Sequence, residues 1–559
     1  MLKKIIIIVS IILVLGAAFW YFQKGEGFVN PFDKSDEVKI NYSDSNTVNL
    51  PMEKVRTLNP VTSKDIDTYR ISSLVFESLF YLDEKLALVN GLASSYNYDM
   101  DKSSVDIRIR PDSYFSNGEN VTASDVKFSI ENYISAAASG NTIYGNYVSN
   151  IKSVNLDKSD RYSLTINFRD KRDISLENFI FPIVSQKNFG KYQASKVTSS
   201  KFAPIGSGPY AIDKYNEISG LTLVANKYYS GTKPTNNLNF TILPEKKDVI
   251  PLLEVNNISI GFLEELSRDT LISDKKISIT NFASNELEVI GYNFTREAMA
   301  NKKLRKAIAY SINNQELNEL AYYKNGMMSD TLFFPGYLGT ENTGDNYKYN
   351  LEKAKSLLTS ANYLDRDENG YLEDESDSEL NIDILVDGSD KSRVLVAEAL
   401  KSSLDKLSVS CKIIYASDNQ DFLDKVRGKD YDVFIGGMQI NETYDLRSLL
   451  HSDYSNIIGY SNGKLDILLD RLKSGISSEQ KVQTVNEIKE ILIDELPYYC
   501  IIYKTYGALS SQCIAGDNKI YMFNNIYNGC ESWYCKYPIK ETPQVVVSNG
   551  AEDITEKSE

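Results

Sequence analysis

The stretch at residues 203–231, APIGSGPYAIDKYNEISGLTLVANKYYSG, limits the possible folds of this chain more than any other segment. Gly206 and Gly208 flank Ser207 and stand directly before a proline, so the backbone can turn here through conformations that a Cβ atom disfavours. Residues 210–225 then read as two apolar runs separated by a polar turn that ends in glycine. The pattern predicts a β-hairpin entered through a sharp, glycine-shaped turn.

Ser207 and its glycine neighbours fit neither a nucleophile elbow nor a phosphate-binding loop. A nucleophile elbow has glycines two positions before and two positions after the serine, whereas here the glycines are adjacent to it. A phosphate-binding loop ends in Gly-Lys-Ser or Gly-Lys-Thr, whereas Gly208 is followed by Pro209. We therefore predict a structural role for this segment.

Several further segments occur in an order typical of one protein family. They are GSGPY followed by N-x-Y-Y-x-G at residues 206–231, the strand-turn-helix pattern at 105–133, the helical E-K-A-K-x-L-L pattern at 351–363, and N-x-x-G-Y-x-N-x-x-x-D-x-L-L at 456–469. Together they resemble the family 5 extracellular solute-binding proteins, the oligopeptide, dipeptide and nickel receptors of ABC importers. The resemblance covers roughly 500 residues, and no single motif carries it alone.

The resemblance implies an α/β, two-lobed periplasmic-binding-protein fold of type II, similar to cluster C, with an inserted satellite domain. Hinge crossings are expected near residues 285–293 and 498–504. We expect lobe I to comprise residues 37–65, 203–288 and 500–539, the satellite domain residues 66–202, and lobe II residues 289–499.

The N-terminus predicts a membrane anchor. Residues 5–22 form an apolar run that ends in Trp-Tyr-Phe and follows Lys3 and Lys4. Gly16-Ala17-Ala18 is a candidate cleavage site, but the apolar run continues past it. The pattern therefore favours an uncleaved signal anchor and transmembrane segment at residues 1–24, with the remainder on the extracellular face of the cell membrane. Many Gram-positive members of the family are lipoproteins, but this chain has no cysteine before Cys411 to carry a lipid. Residues 25–36 read as a linker, and residues 540–559 as a disordered acidic tail.

Charge and histidine content exclude several functions. The net charge of −15 argues against nucleic acid as a partner. The chain has a single histidine, His451, which argues against a catalytic triad and excludes a metal site built on several imidazoles. With no nucleophile motif either, we predict a monomeric binding protein without a cofactor and without enzymatic activity.

Four of the five cysteines lie near the C-terminus, at positions 500, 513, 530 and 535. Outside the membrane, disulfides can form, and Cys530 with Cys535 and Cys500 with Cys513 are the plausible local pairs. Spacing alone does not establish the connectivity, and buried thiols are the other interpretation.

The segment DRDENGYLEDES at residues 365–376 resembles the start of a calcium loop. Asp365, Asp367 and Asn369 occupy the D-x-D-x-N-G positions, but the twelfth position is Ser376, where a bidentate glutamate belongs. The segment is a weak calcium candidate.

The family's cleft strand has its counterpart at residues 429–450. Gly437 matches the pattern, and Met438 stands in place of a tryptophan. Asn441 stands where peptide receptors of the family place the aspartate that holds the ligand's α-ammonium group. Glu442 or Asp445 is able to supply the missing carboxylate, unless the ligand has no free amine. On the opposite lobe, Asn59 completes the expected ligand-binding set.

The function implied by the resemblance is capture of an extracellular oligopeptide between the lobes and its delivery to ABC permease subunits. Two alternatives remain: a non-transporting sensor that presents a peptide or signal to a membrane partner, and a receptor for a non-peptide ligand such as a metal chelate.

Overall fold

The computed structural model describes residues 42–190, 192–199, 202–243, 245, 248–264, 277–511, 514–515 and 521–538. Within this part of the chain no helix is both long enough and apolar enough to cross a membrane. The predicted anchor at residues 1–24, the linker at 25–36 and the tail at 540–559 lie outside the described residues. Ser45–Lys536 form one compact unit; of the second, Met1–Asp44 with Tyr537–Glu559, only residues 42–44 and 537–538 are described.

The strands are β1 Tyr42–Ser45, β2 Thr47–Met52, β3 Phe80–Leu82, β4 Leu88–Asn90, β5 Ala93–Asp99, β6 Ser104–Ile109, β7 Ile151–Leu156, β8 Ser163–Phe168, β9 Tyr210–Asn216, β10 Gly220–Ala225, β11 Asn237–Ile242, β12 Ile260–Leu263, β13 Ile277–Tyr292, β14 Gly326–Met327, β15 Asn381–Asp387, β16 Ser410–Ala416, β17 Val433–Gln439, β18 Tyr498–Ser511, β19 Ile514–Ala515 and β20 Tyr534–Pro538.

The α-helices are α1 Ile66–Val75, α2 Ala123–Ala138, α3 Gly145–Val148, α4 Gln186–Phe189, α5 Val249–Glu254, α6 Glu297–Ala300, α7 Lys302–Ser311, α8 Asn314–Tyr322, α9 Leu351–Ser360, α10 Lys391–Asp405, α11 Asn419–Gly428, α12 Arg447–Leu450, α13 Gly463–Lys473 and α14 Ser478–Glu495. Short 3-10 helices cover Leu176–Phe179, Ala194–Lys196, Tyr337–Gly339, Ser452–Tyr454 and Cys530–Ser532.

Three sheets organise the main unit. A four-stranded sheet has the order β2-β11-β10-β9, and a second has the order β5-β6-β8-β7. A long sheet has the order β12-β18-β13-β17-β15-β16, with β14 added at β18. We call the first sheet, with α1, lobe I, the second sheet, with α2 and α3, the satellite, and the β15–β17 half of the long sheet, with its helices, lobe II.

The long strands β13 and β18 run through both halves of the long sheet. Their antiparallel register is broken between Ala283 and Leu287, which oppose Thr505 and Tyr503. Four positions on β13 therefore span only two positions on β18, which is a bulge in β13. The register shifts again between Glu288 and Val289, which oppose Ile502 and Cys500. Bulges locally disrupt the ladder and bend the bulged strand, so the two halves can differ in direction across this segment.

The two faces of the long sheet bury different cores. Ile290 and Ile384 contact the cluster that includes residues of α7 to α10. Val289 and Leu385 belong to a second cluster, which contains residues of α13 and α14. Because successive side chains of a strand point to opposite faces, the apolar run in each strand supplies both cores.

The hairpin forms as the sequence predicts, whereas neither Gly206 nor Gly208 has the positive φ that the predicted turn would use. Strands β9 and β10 pair antiparallel from Tyr210 with Ala225 to Asn216 with Gly220. A Cβ atom on Gly206 would lie 1.9 Å from the carbonyl oxygen of Val75, and one on Gly208 would lie 2.7 Å from that of Leu74. The glycines are thus needed for close packing on the end of α1.

Local capping also follows the sequence in the satellite. Thr122 and Asp125 form a capping box at the start of α2, in which the Asp125 carboxylate accepts from the Thr122 backbone amide at 2.9 Å.

The satellite meets lobe II through an ion pair between Glu177 and Lys481. The backbone amide of Ile174 also donates to the carbonyl of Lys473 at 3.0 Å.

The predicted pairing of Cys530 with Cys535 is wrong. The sulfur of Cys530 lies 3.8 Å from the Tyr210 hydroxyl, and that of Cys535 lies 3.0 Å from the Ser259 hydroxyl, with no disulfide between them. Cys530 belongs to a 3-10 turn, whereas Cys535 lies in β20 and pairs with Ile514 of β19. The two side chains therefore pack in different surroundings. Cys500 is a buried thiol without a disulfide, and its predicted partner, position 513, lies outside the described residues.

Candidate functional site

A cavity of about 480 Å³ lies where α1, the satellite and the segment after β17 meet. We call it the cleft cavity. Its wall is rich in tyrosines, acids and side-chain amides: Tyr69, Tyr144, Tyr147, Tyr506, Glu264, Glu286, Glu442, Asn285, Gln439, Asn441 and Asn524, with Arg70 as the cation. Rings with a polar tip suit a cavity that must hold a partly apolar ligand and still make directed hydrogen bonds.

Glu442 is the centre of a phenol cluster. The hydroxyl of Tyr69 donates to its Oε1 at 3.1 Å. Burial, and next the negative charge of Glu442, raise the pKa of Tyr69 and of Tyr147. Both phenols therefore remain neutral at physiological pH and act as donors to the carboxylate.

Acids outnumber bases on the described part of the cavity wall. It carries three glutamates and one arginine, Arg70, which lies 3.3 Å from Glu264. Glu286 has a lysine neighbour, Lys504, at 3.5 Å. Among the described residues no ion pair involves Glu442.

A second cavity of about 620 Å³, also bordered by Glu264, opens beside the long strands. Glu288 is 1% exposed there and accepts from Arg393 at 2.9 and 3.0 Å. Lys504 approaches the same carboxylate at 3.1 Å. Burial opposes ionisation, but these two cations outweigh it and lower the pKa of Glu288. The result is a buried, ionised network at the strands that join the two lobes.

Of the expected ligand-binding residues, Asn441 and Glu442 line the cleft cavity. Gly437 stands opposite Glu288 in the sheet, and a Cβ atom on it would lie 2.2 Å from Nη2 of Arg393. Its missing side chain makes room for the buried ion pair. Met438 packs against the core cluster of lobe II.

Two expected residues have other roles. Asn59 is fully buried, and its amide donates to the carbonyls of Ala194 and Val197, each at 2.8 Å. It holds the loop of the Ala194–Lys196 turn and does not line the cleft cavity. Asp445 accepts from both Nε and Nη2 of Arg447, at 2.8 and 2.6 Å, so its charge is already matched.

The calcium candidate lies away from the cleft cavity, between α9 and β15. There carboxylate oxygens of Asp365, Asp367 and Glu373 lie within 4.8 Å of one another. The side-chain amide of Asn369 donates to Asp367 at 3.0 Å.

Sequence reasoning missed most of the aromatic wall. Tyr69 lies on α1, whereas Tyr144 and Tyr147 come from the satellite segment, where no chemical motif was recognisable. The only sequence signal was the overall abundance of tyrosine, 38 residues, which does not say which rings meet.

A model of the bacterial extracellular solute-binding proteins, family 5 (middle region), matches residues 87–459. Oligopeptide-binding protein AppA of Bacillus subtilis is 21% identical over 496 residues, which cover 85% of this chain and 89% of that protein. The curated relatives are solute-binding proteins rather than enzymes, in agreement with the prediction.

Solved structures show the same fold. A nickel ABC transporter structure from Bacillus halodurans superimposes with a TM-score of 0.71 at 17% identity, covering 87% of this chain and 98% of that one. AppA from Bacillus subtilis, in complex with a nonapeptide, gives a TM-score of 0.57 at 19% identity, covering 89% and 100%. The predicted α/β solute-binding fold is therefore confirmed.

Proposed function

Because this chain belongs to the family 5 bacterial extracellular solute-binding proteins, we propose that it captures oligopeptides in the cleft cavity and delivers them to an ABC importer. The name of AppA, an oligopeptide-binding relative matched over most of both chains, supports this choice of ligand. The observation that carries the proposal is the Glu442 carboxylate, which is held by the Tyr69 phenol and has no cationic partner in the described part of the chain.

A peptide has an α-ammonium group that can pair with the Glu442 carboxylate in the wall of the cleft cavity. Its α-ammonium group is a compact cation with three donors, which suits a carboxylate surrounded by neutral phenols. Of the two acids that sequence reasoning left open, the geometry favours Glu442, since Asp445 is occupied by Arg447. Asn441 then keeps a polar but uncharged role beside it, with its Oδ1 accepting from Thr443 at 2.9 Å.

The rest of the wall suits an extended backbone. Gln439, Asn285 and Asn524 offer both donors and acceptors to peptide groups, and they do so without demanding particular side chains. The tyrosine rings supply apolar contact area for side chains of differing size. Such a cavity is suited to a range of short peptides.

Direct capture of a metal ion is not supported by the single histidine. His451 is 4% exposed and lies 3.7 Å from both Asp466 and Asp470, next to α13. It does not border the cleft cavity. A metal that prefers imidazole ligands, such as nickel, would enter this cavity inside a small chelating molecule.

We also propose that the chain is a monomer, anchored by residues 1–24 at the extracellular face of the cell membrane. The apolar run at residues 5–22 after two lysines supports the anchor. Genes for a permease and an ATPase beside this gene would favour transport over the sensor alternative.

The proposal is tested by native mass spectrometry of the full chain, purified in detergent from cells grown in a peptide-rich medium. A series of co-purifying short peptides is the expected result. An empty protein whose melting temperature is also unchanged by peptide libraries would overturn it.

A further inference from the structure

The loop between α9 and β15, residues 361–380, brings three carboxylates to one point. Carboxylate oxygens of Asp365, Asp367 and Glu373 all lie within 4.8 Å of one another. In the described part of the chain, this is the one group of three or more such side chains with that spacing. Oxygens bound to the same calcium ion, each about 2.3–2.6 Å from it, are at most about 5 Å apart. The observed spacing therefore already matches a single ion.

Glu373 is the residue that points to a ligand. It is 4% exposed, and its Oε2 accepts from the backbone amide of Arg366 at 2.6 Å. Its Oε1 is buried and finds no donor among the residues that the structure describes. A buried carboxylate oxygen without a partner is costly, and the charges of Asp365 and Asp367 beside it increase that cost.

The loop's own cation does not relieve this charge. Arg366 is the only basic residue between positions 361 and 380. Its guanidinium donates to the backbone carbonyls of Asn362, Glu373 and Asp374, at 2.8, 2.8 and 2.5 Å. It braces the backbone of the loop, and among the described residues its guanidinium forms no ion pair with any of the three carboxylates.

We propose that Asp365, Asp367 and Glu373 bind a calcium ion. In the D-x-D-x-N-G register Glu373 is the ninth position, so it supplies a buried carboxylate that the twelfth position, Ser376, does not. The amide oxygen of Asn369 and the backbone carbonyl at the seventh position extend an all-oxygen set, which suits calcium rather than a metal that prefers nitrogen or sulfur. Without the bidentate twelfth ligand, the expected dissociation constant is about 10⁻⁴–10⁻³ M, the range of extracellular calcium modules.

The ion would tighten a junction of lobe II. Glu373 forms bridges with Leu364 and with Glu379, and the amide of the adjacent Leu372 donates to the carbonyl of Ser408 at 2.9 Å. The site thus ties the end of α9 to the connection between α10 and β16. None of its ligands borders the cleft cavity, so calcium acts on stability rather than on capture of the ligand.

The test is calorimetric titration of calcium into the EDTA-treated full chain, with thermal melting at each calcium concentration. We expect saturable binding and a melting temperature that rises with calcium. Asp367→Asn and Glu373→Gln should each weaken binding by at least about tenfold, because affinity follows the charge count of the ligands. The matched control is Glu368→Gln, which removes an exposed acid of the same loop that is outside the three-carboxylate group and should bind as the wild type does.

Three results would overturn the proposal. They are no binding heat and no melting shift at about 10 mM calcium, ten times the weakest expected constant; an equal shift with magnesium; and wild-type affinity in Asp367→Asn. The Asp367 side chain is exposed, so that variant decides the matter even if Glu373→Gln fails to fold.

Discussion

The hydroxyl of Tyr69 lies 3.1 Å from Oε1 of Glu442, and the two residues are separated by 373 positions in the chain. Tyr69 belongs to α1 of lobe I, whereas Glu442 follows β17 of lobe II. This hydrogen bond crosses the cleft cavity from one lobe to the other. In the proposed peptide complex, a ligand that binds Glu442 would therefore contact a residue that is hydrogen-bonded to the other lobe.

Replacing Glu442 with glutamine should weaken peptide binding strongly. The substitution keeps the shape and the acceptor for Tyr69 but removes the charge that the proposed ammonium group needs. We expect an affinity loss of about 10–100-fold, equivalent to about 1.4–2.8 kcal/mol, measured by calorimetry with a peptide identified from the purified protein. Glu490→Gln, an exposed acid on α14, is the control and should bind normally. Unchanged affinity in Glu442→Gln would rule out this residue as the ammonium site.

Replacing Gly437 with alanine should destabilise the protein without touching the cleft cavity. The new Cβ atom would lie 2.2 Å from Nη2 of Arg393 and 2.8 Å from Oε1 of Glu288. Arg393 is flexible in principle, but moving it breaks the pair that neutralises a carboxylate only 1% exposed. We expect a loss of about 1.5–3 kcal/mol, since the buried carboxylate keeps Lys504 at 3.1 Å but loses its hydrogen bonds from Arg393.

The measurement for Gly437→Ala is urea unfolding. Gly463→Ala is the matched control, because no atom lies within 4 Å of the added Cβ at the start of α13. That control should be neutral or slightly stabilising, as alanine favours helix more than glycine does. Equal stability of the two variants would contradict the packing argument.

The stability of the protein should depend on the glycines of the glycine-shaped turn, and its peptide affinity should not depend on the serine hydroxyl there. Gly206→Ala places a Cβ atom 1.9 Å from the Val75 carbonyl oxygen, so either the turn or the end of α1 must move. We expect a loss of several kcal/mol, on the order of the larger single-residue effects. Ser207 is 1% exposed and does not border the cleft cavity, so Ser207→Ala should leave peptide affinity unchanged. A loss of affinity in Ser207→Ala would show that the segment has a direct role in binding.

Much of the local structure could be predicted because neighbouring residues determine it. The hairpin of β9 and β10 and the capping box of Thr122 and Asp125 depend on turn chemistry and on periodicity within a few residues. The position of Asn441 and Glu442 at the cavity is implied by the resemblance to the family, whose cleft strand has its counterpart at residues 429–450.

Contacts between distant segments could not be predicted in this way. Asn59 was expected at the ligand, but its amide is used by Ala194 and Val197, 135 and 138 residues away. The spacing of the calcium candidate did not indicate Glu373, because the D-x-D-x-N-G pattern assigns its bidentate acid to the twelfth position. Glu373 reaches Asp365 since it forms a bridge with Leu364, which depends on the fold of the loop and not on its spacing.

The ion pair between Glu177 and Lys481 should make the stability of the protein depend on acid pH. Glu177 lies in the satellite and Lys481 on α14, and both side chains are about nine-tenths buried. Burial raises the pKa of Glu177, but Lys481 and Lys473 outweigh burial and lower the pKa to about 2 from the ordinary 4.5. A carboxyl whose pKa is lowered by folding contributes stability that is complete above about pH 4.5 and is lost as the pH falls toward 2.

In the Glu177→Gln variant this contribution is absent. The variant should be less stable than the wild type at pH 7, because Lys481 and Lys473 remain buried without their partner. It should also lose less stability on acidification, by on the order of 2 kcal/mol between pH 7 and pH 3. Urea unfolding at both pH values measures the difference, and Glu490→Gln should follow the wild type. If Glu177→Gln loses as much stability on acidification as the wild type does, the pair does not titrate in this range and the acid sensitivity has another origin.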